Sequence, residues 1–246
     1  MLALSGVAVI VGLLIGAVGV GGVLLIPALE LLTSMSIQTA MATALFTFIF
    51  TGIVATVLFQ RRGSIDWSIT LPLCVGGALF GFAGAWANSL LDASVLTLIL
   101  AVLIVFAGIY TLMSNAAARR AAFEGRPRAR RNLLFVVGAL TGFGSGLTGV
   151  GGPALSVPMM VMLGFSPLAT VGASQVVQIL AAVSGSAGNL FHGQIDFRLA
   201  GILTVFEIIG VCLGVYLAHA VNARFLRRGV GVLCVAVGAG LLIRSL

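Results

Sequence analysis

Lysine is absent from this chain of 246 residues, and charge of either sign is scarce. Thirteen basic residues, all arginine, stand against six acids, and charged residues make up 8% of the whole. Soluble domains average roughly a quarter charged residues. A chain with 60% hydrophobic residues cannot hide that surface in one globular core, so a lipid bilayer must solvate much of it. Cysteine is nearly as rare. Cys74, Cys212 and Cys234 lie in separate apolar segments with no C-x-x-C or metal-type spacing, which argues against a disulfide or ligand role and reads them as small core residues. The two histidines, His192 and His219, fall near segment ends; neither is assigned a metal. Residues Met1 to Val11 lack the basic start of a secretory signal and are expected to remain as membrane helix.

The formal charge of +7 does not point to nucleic acid, because six of the thirteen arginines sit between Arg119 and Arg131. That stretch, Asn115 to Arg131, is the one long polar segment. Arginine in a short loop is the positive-inside signal, which places the segment in the cytoplasm. Apolar segments are expected at 2–18, 23–33, 37–59, 68–90, 94–114, 132–148, 153–163, 168–190, 199–219 and 225–243. The fold class is therefore all-α and polytopic, with no cofactor implied and lipid as an obligate partner. Apolar surface facing lipid and apolar surface facing protein look alike in sequence, so oligomeric state is not read from it.

Two of these segments are too short to cross. Val23 to Thr33 rises about 16 Å at 1.5 Å per residue, half the hydrocarbon thickness. Immediately before it stands Gly16-Ala17-Val18-Gly19-Val20-Gly21-Gly22, which recurs without a gap 130 residues later as Gly146-Leu147-Thr148-Gly149-Val150-Gly151-Gly152. The same offset carries Ser36 onto Ser166, Gly63-Ser64-Ile65-Asp66-Trp67 onto Gly193-Gln194-Ile195-Asp196-Phe197, Gly84 onto Gly214 and Gly108 onto Gly238. The expected organisation is a first repeat over 1–114, the basic linker 115–131 and a second repeat over 132–246. Each repeat holds a glycine-broken first helix and three spanning helices. If the broken pieces together make one crossing, the repeats are parallel and Arg224, Arg227 and Arg228 fall outside. If they form a re-entrant hairpin, the repeats are inverted and Arg198 and Arg244 fall outside. Two misplaced charges against three favour inversion.

Unwound backbone at membrane depth needs hydrogen-bond partners. Gly19, Val20, Gly21 and Gly22, with Thr148, Gly149, Val150, Gly151 and Gly152, are therefore expected to line a site. Their N–H groups turn inward as a nest, and the following short helices aim their positive ends at it. Tight helix packing by small residues is the competing explanation. The lack of a preceding strand and of a following lysine argues against a nucleotide loop. In the span after the second motif, Ser174, Gln178 and Asn189 share a helical face with Gln175 beside them; these neutral donors suit an oxyanion. Their counterparts Leu45 and Phe48 are apolar, so the expected site is asymmetric. Thr43, Thr47 and Thr51 form a milder stripe, read as helix glue. Glu207 is the one acid well inside a long span, a candidate for proton coupling. Asp66 and Asp196 are read as turn or cap residues.

The paired Gly-Val-Gly-Gly motifs and the Gly-x-Ile-Asp-aromatic loop that follows each resemble the TauE/SafE family, from about Gly6 to Ile243. The resemblance implies a cytoplasmic-membrane permease or exporter with two related halves. It implies a small sulfur oxyanion such as sulfite, sulfonate or sulfoacetate as substrate, with proton coupling, and it marks the motif glycines and the two loop acids. One departure is Val23 where the second half has Pro153, so the two short helices are expected to start differently. Three other classes compete. A transition-metal permease needs clustered histidine, cysteine or carboxylate ligands. An intramembrane serine hydrolase would have to pair Ser145 with His219. An assembly or redox partner would use the cysteines.

Overall fold

A computed structural model describes residues 2–113, 122–123, 125–191, 195–220, 232 and 234–243. Arg119, Arg120, His192 to Gln194, Arg224, Arg227, Arg228 and Arg244 lie outside the described residues, as do residues 225–231 of the last expected segment. In chain order the helices are α1 (Leu2–Val18), α2 (Leu25–Thr33), α3 (Ile37–Arg61), α4 (Trp67–Leu90) and α5 (Ala93–Met113). Then follow α6 (Pro127–Thr148), α7 (Pro153–Met162), α8 (Pro167–Leu190) and α9 (Phe197–Ala220), and a short apolar α10 (Cys234–Ile243). A 3-10 turn, Gly21–Leu24, leads directly into α2. No strand occurs among the described residues. Helices α3, α4, α5, α8 and α9 are long and apolar enough to cross a membrane, so the protein is an all-helical, multi-pass membrane protein.

Local chemistry sets the helix ends. Proline opens α6, α7 and α8 at the first helical position, where its missing N–H costs nothing and its fixed φ is already helical. This is why α6 starts at Pro127, inside the stretch read from sequence as linker. Ser36 accepts from the Thr39 N–H at 3.2 Å to start α3. Asp66 accepts from the Ser68 N–H and Asp196 from the Leu199 N–H, each at 2.9 Å, so these equivalent acids cap α4 and α9.

Both short helices turn back on the helix before them. α1 stops at Gly19 (φ +81°) and α6 at Gly149 (φ +67°), left-handed conformations that only glycine adopts without cost. The Gly19 N–H bonds the Ile15 carbonyl at 3.1 Å and the Gly149 N–H bonds the Ser145 carbonyl at 2.8 Å. Gly21 then lies against Val11, Leu14 and Ile15 of α1, and Leu155 of α7 reaches back to Gly144 of α6. The second hairpin has its own start, as Pro153 for Val23 implies: α7 begins directly, whereas α2 is entered through the 3-10 turn.

Helix packing exchanges partners between the two halves of the chain. α4 packs most extensively on α6, and α9 on α1. Gly84 sits against Phe143 and Leu147, while Gly214 sits against Leu13 and Ala17; these are one contact seen twice under the 130-residue offset. Backbones approach this closely because no side chain intervenes. α3 meets α8 directly. Leu45 touches Gly185, Phe48 meets Gln178, and Gly52 lies against Gln175 and Ile179, so residue numbers rise on one helix as they fall on the other. These equivalent helices are therefore antiparallel. α5 and α10 repeat the pattern, with Gly108 on Val235 and Gly238 on Val105.

The antiparallel pairing predicts that equivalent loop positions face opposite sides of the membrane. In a chain with its native cysteines replaced by alanine, Ser68→Cys and Arg198→Cys are expected to react with an impermeant thiol reagent from opposite faces of sealed vesicles. Labelling of both from one face would contradict the arrangement.

Candidate functional site

The two glycine motifs meet at the middle of the bundle. Phe48 and Gln178 are each the twelfth residue of a span, in α3 and α8. The Gln178 Nε2 group donates to the Phe48 carbonyl at 3.0 Å and to Thr51 Oγ1 at 3.2 Å. A residue bonded to its own counterpart 130 positions away lies on the axis relating the halves. Around this pair, Gly22 abuts the Val150 carbonyl and the Phe48 ring, Gly151 the same ring, and Gly152 the backbone of Gln178. Farther out, Gly19 touches Pro153, Val157 and Val171, while Gly149 touches Met41. Val20 and Val150 are buried with them. The 3-10 turn before α2 and the start of α7 both begin here, and no side chain caps either one. Their partial positive charge is thus not offset by a capping side chain.

Amide side chains cover the broken helix ends. Gln175 Nε2 donates to the Ile15 carbonyl in the last turns of α1 at 3.4 Å, and its Oε1 atom, also buried, has no partner. At the second break Asn88 of α4 donates to the Leu147 carbonyl at 2.6 Å and to Met41 Sδ at 3.3 Å. Sequence reasoning missed Asn88. Its one signal was an amide one turn before the end of an apolar span, and its counterpart under the offset is Ala218.

The other sequence candidates divide. Ser174 and Thr148 are buried, but each bonds back to its own helix, at Val171 O (2.7 Å) and Gly144 O (2.6 Å). Asn189 is buried three turns beyond Gln178, near the level where Gly188 packs on Ala85. In the threonine stripe Thr47 bonds its own Ala44 carbonyl at 2.8 Å. Thr43 does more than hold helices, since its Oγ1 accepts from the Asp196 N–H at 3.1 Å and fixes the loop before α9. Glu207 is fully buried, and neither carboxyl oxygen has a donor. Thr47 stands beside it, with its proton directed at Ala44. The position equivalent to Glu207 is Gly77.

His219, expected near a segment end, is exposed there and is held by Arg62 Nη1 at 2.8 Å and Ser64 Oγ at 3.2 Å, and Arg62 also donates to the Val215 carbonyl at 2.6 Å. His219 Nδ1 also lies 2.8 Å from the Val215 carbonyl, so the ring's donor and acceptor roles depend on its tautomer. Cys212, read as a core residue, is exposed on α9, whereas Cys74 and Cys234 are buried; all three are free. Among the described residues no three histidine, cysteine or carboxylate groups cluster as metal ligands.

Comparison with known proteins agrees with this architecture. The chain is 29% identical over 226 residues to the probable membrane transporter protein YdhB of Bacillus subtilis (strain 168), covering 88% of this chain and 86% of that protein. It is 25% identical over 244 residues to YunE of the same organism, also named a probable membrane transporter, covering 88% of each. YfcA of Escherichia coli (strain K12), named likewise, is 24% identical over 245 residues, 97% of this chain and 88% of that protein. No solved structure matches it. The match to the family Sulfite exporter TauE/SafE runs over residues 4–241, and the chain is a member of that family.

Proposed function

We propose that this protein is a secondary carrier for a small sulfur-containing oxyanion, such as sulfite, a sulfonate or sulfoacetate. The observation that carries the proposal is the convergence of two uncapped helix starts on the Phe48–Gln178 pair at mid-span. Two such ends supply roughly one unit of positive charge without a cationic side chain. Gln175, with an unpartnered Oε1, and Gln178 add neutral hydrogen-bonding groups. Antiparallel equivalents support reading 1–114 and 132–246 as inverted repeats whose broken elements are re-entrant, the arrangement that lets one half rock against the other around a fixed site.

Orientation follows from arginine. Arg61, Arg62, Arg126, Arg128, Arg130 and Arg131 gather at the end of the bundle shared by the α3 C-terminus and the α6 N-terminus, and Arg198 stands at the other end. The positive-inside tendency puts the first end, with the linker 115–131, in the cytoplasm of a bacterial inner membrane. Glu207, at mid-span in α9 and without a partner, is the proton carrier: a carboxylate buried there unpaired would be costly, so it exchanges a proton as the site changes access.

Among the described residues, the groups that two rival classes need are not brought together. A transition-metal permease needs a ligand cluster not assembled among the described residues. A serine hydrolase needs Ser145 against a base, yet Ser145 Oγ has no partner while His219 binds Arg62 and Ser64.

In a thermal-shift screen of detergent-purified protein, a sulfur oxyanion is expected to stabilise the fold. The gain is about 2.7 kcal/mol at a hundredfold excess over Kd. Gly151→Leu, which would drive a side chain into the Phe48 ring, is expected to insert yet lose that response. A response to nickel or cobalt alone, or one that survives Gly151→Leu, would refute the oxyanion site. In proteoliposomes, Glu207→Gln is expected to keep anion exchange while losing accumulation driven by a pH gradient. Undiminished accumulation would remove Glu207 from the coupling.

A further inference from the structure

We infer that Thr141 and Ser145 of α6, with Ser186 of α8, form a second oxyanion subsite between the central site and the membrane face opposite the arginine-rich linker. This rests on the reading of the protein as an oxyanion carrier and extends it to a part of the path that neither the motifs nor the family resemblance marks.

Serine and threonine in a membrane helix normally donate to a carbonyl three or four residues earlier. Thr47, Thr70, Thr97, Thr148, Ser156 and Ser174 all do so here. Thr56, Thr170 and Thr204, which lie on three different helices, do not, and neither do three that lie together: Thr141, Ser145 and Ser186. They are 0%, 0% and 3% exposed, and none of their hydroxyls has a partner. Burying a hydroxyl without a hydrogen bond is unfavourable, so three together imply something that takes the bonds.

The helices bring Ser145 and Ser186 to one level, with Thr141 one turn nearer the central pair, where its neighbour Gly142 closes on Gly77 and Gly77 on Val177. Thr141 and Ser145, one turn apart, share a face of α6, next to the face on which Gly138, Gly142 and Gly146 close against α4. Gly146 also meets Gly185 of α8, so Ser145 and Ser186 each directly adjoin a residue of that contact. The chain then continues through Thr148 to the break at Gly149, at the end of α6 farthest from the linker.

Asymmetry argues against a purely architectural role. The residues equivalent to Thr141 and Ser145 are Val11 and Ile15, which fill the same positions on α1 with no polar atom; of the three, only Ser186 has a hydroxyl counterpart, Thr56. At the Thr141 and Ser145 positions the first half is satisfied by apolar side chains, so those two hydroxyls are present in one half alone. Hydroxyls donate to an anion without adding charge, which suits a step the substrate must also leave.

The test uses the full chain with Cys74, Cys212 and Cys234 replaced by alanine and Ser145→Cys added, in vesicles of known orientation. Two thiosulfonate reagents of similar size are compared, one bearing a sulfonate and one a trimethylammonium group, each normalised to its rate with free thiol. Methanesulfonate and sulfate serve as protectants, because sulfite itself consumes such reagents. The expected result is labelling from the face opposite the linker, about tenfold in favour of the sulfonate reagent, slowed by methanesulfonate; this is the scale of one hydrogen bond to a charged group. Adding the isosteric Thr141→Val is expected to raise the half-protecting methanesulfonate concentration about tenfold at unchanged thermal stability. Equal entry of both reagents, labelling from the linker face only, or no labelling would overturn the subsite, as would protection insensitive to Thr141→Val. The carrier reading stands or falls separately, on the anion response lost in Gly151→Leu.

Discussion

A helix that stops inside a bilayer leaves carbonyl and N–H groups that lipid cannot bond, and the centre of this protein is organised around covering them. Gly19 and Gly149 turn their own N–H groups back onto Ile15 and Ser145. Gln175 and Asn88 reach from neighbouring helices to the Ile15 and Leu147 carbonyls. The C-terminal sides of both breaks are thus satisfied from within the protein, whereas the N-terminal starts of the following helices have no side-chain cap. On the function proposed above, that imbalance is what would draw negative charge to the centre.

Equivalent elements support inequivalent chemistry. Gln178 faces Phe48 across the axis, Gln175 replaces Leu45, Glu207 replaces Gly77, and Thr141 with Ser145 replaces Val11 with Ile15. Polar groups are concentrated in the second half, while the first supplies rings and aliphatic bulk against which they are held. A symmetric pair of breaks would present the same face to both sides of the membrane. The added polar residues distinguish the two sides.

The sequence revealed the glycine breaks, the long spans and the caps at Asp66 and Asp196, because each leaves a local signature: left-handed glycine, an uninterrupted apolar run, an acid before a helix. The pairing of α4 with α6 and of α9 with α1 was not legible, since small residues on a membrane helix do not name their partner. The α3–α8 axis became visible only when Gln178 was seen bonded to Phe48. Asn88, the Arg62–His219 contact and the exposure of Cys212 escaped for the same reason, as each depends on which face of a helix meets protein and which meets lipid. The start of α6 at Pro127 was hidden by composition, because its first turn is built from arginines that read as loop.

The exchange of partners has a consequence for how the chain is made. α1 leaves the ribosome nearly two hundred residues before α9, the helix against which its glycine face closes, and α4 likewise precedes α6. The first half cannot bury these contact surfaces during its own synthesis. Newly inserted helices must therefore wait in the bilayer, held by the insertion machinery or by lipid, until the later half arrives. The interlock also suits an origin in two separate copies of one half, inserted in opposite orientations and clasping each other, before fusion of their genes made the pairing obligatory.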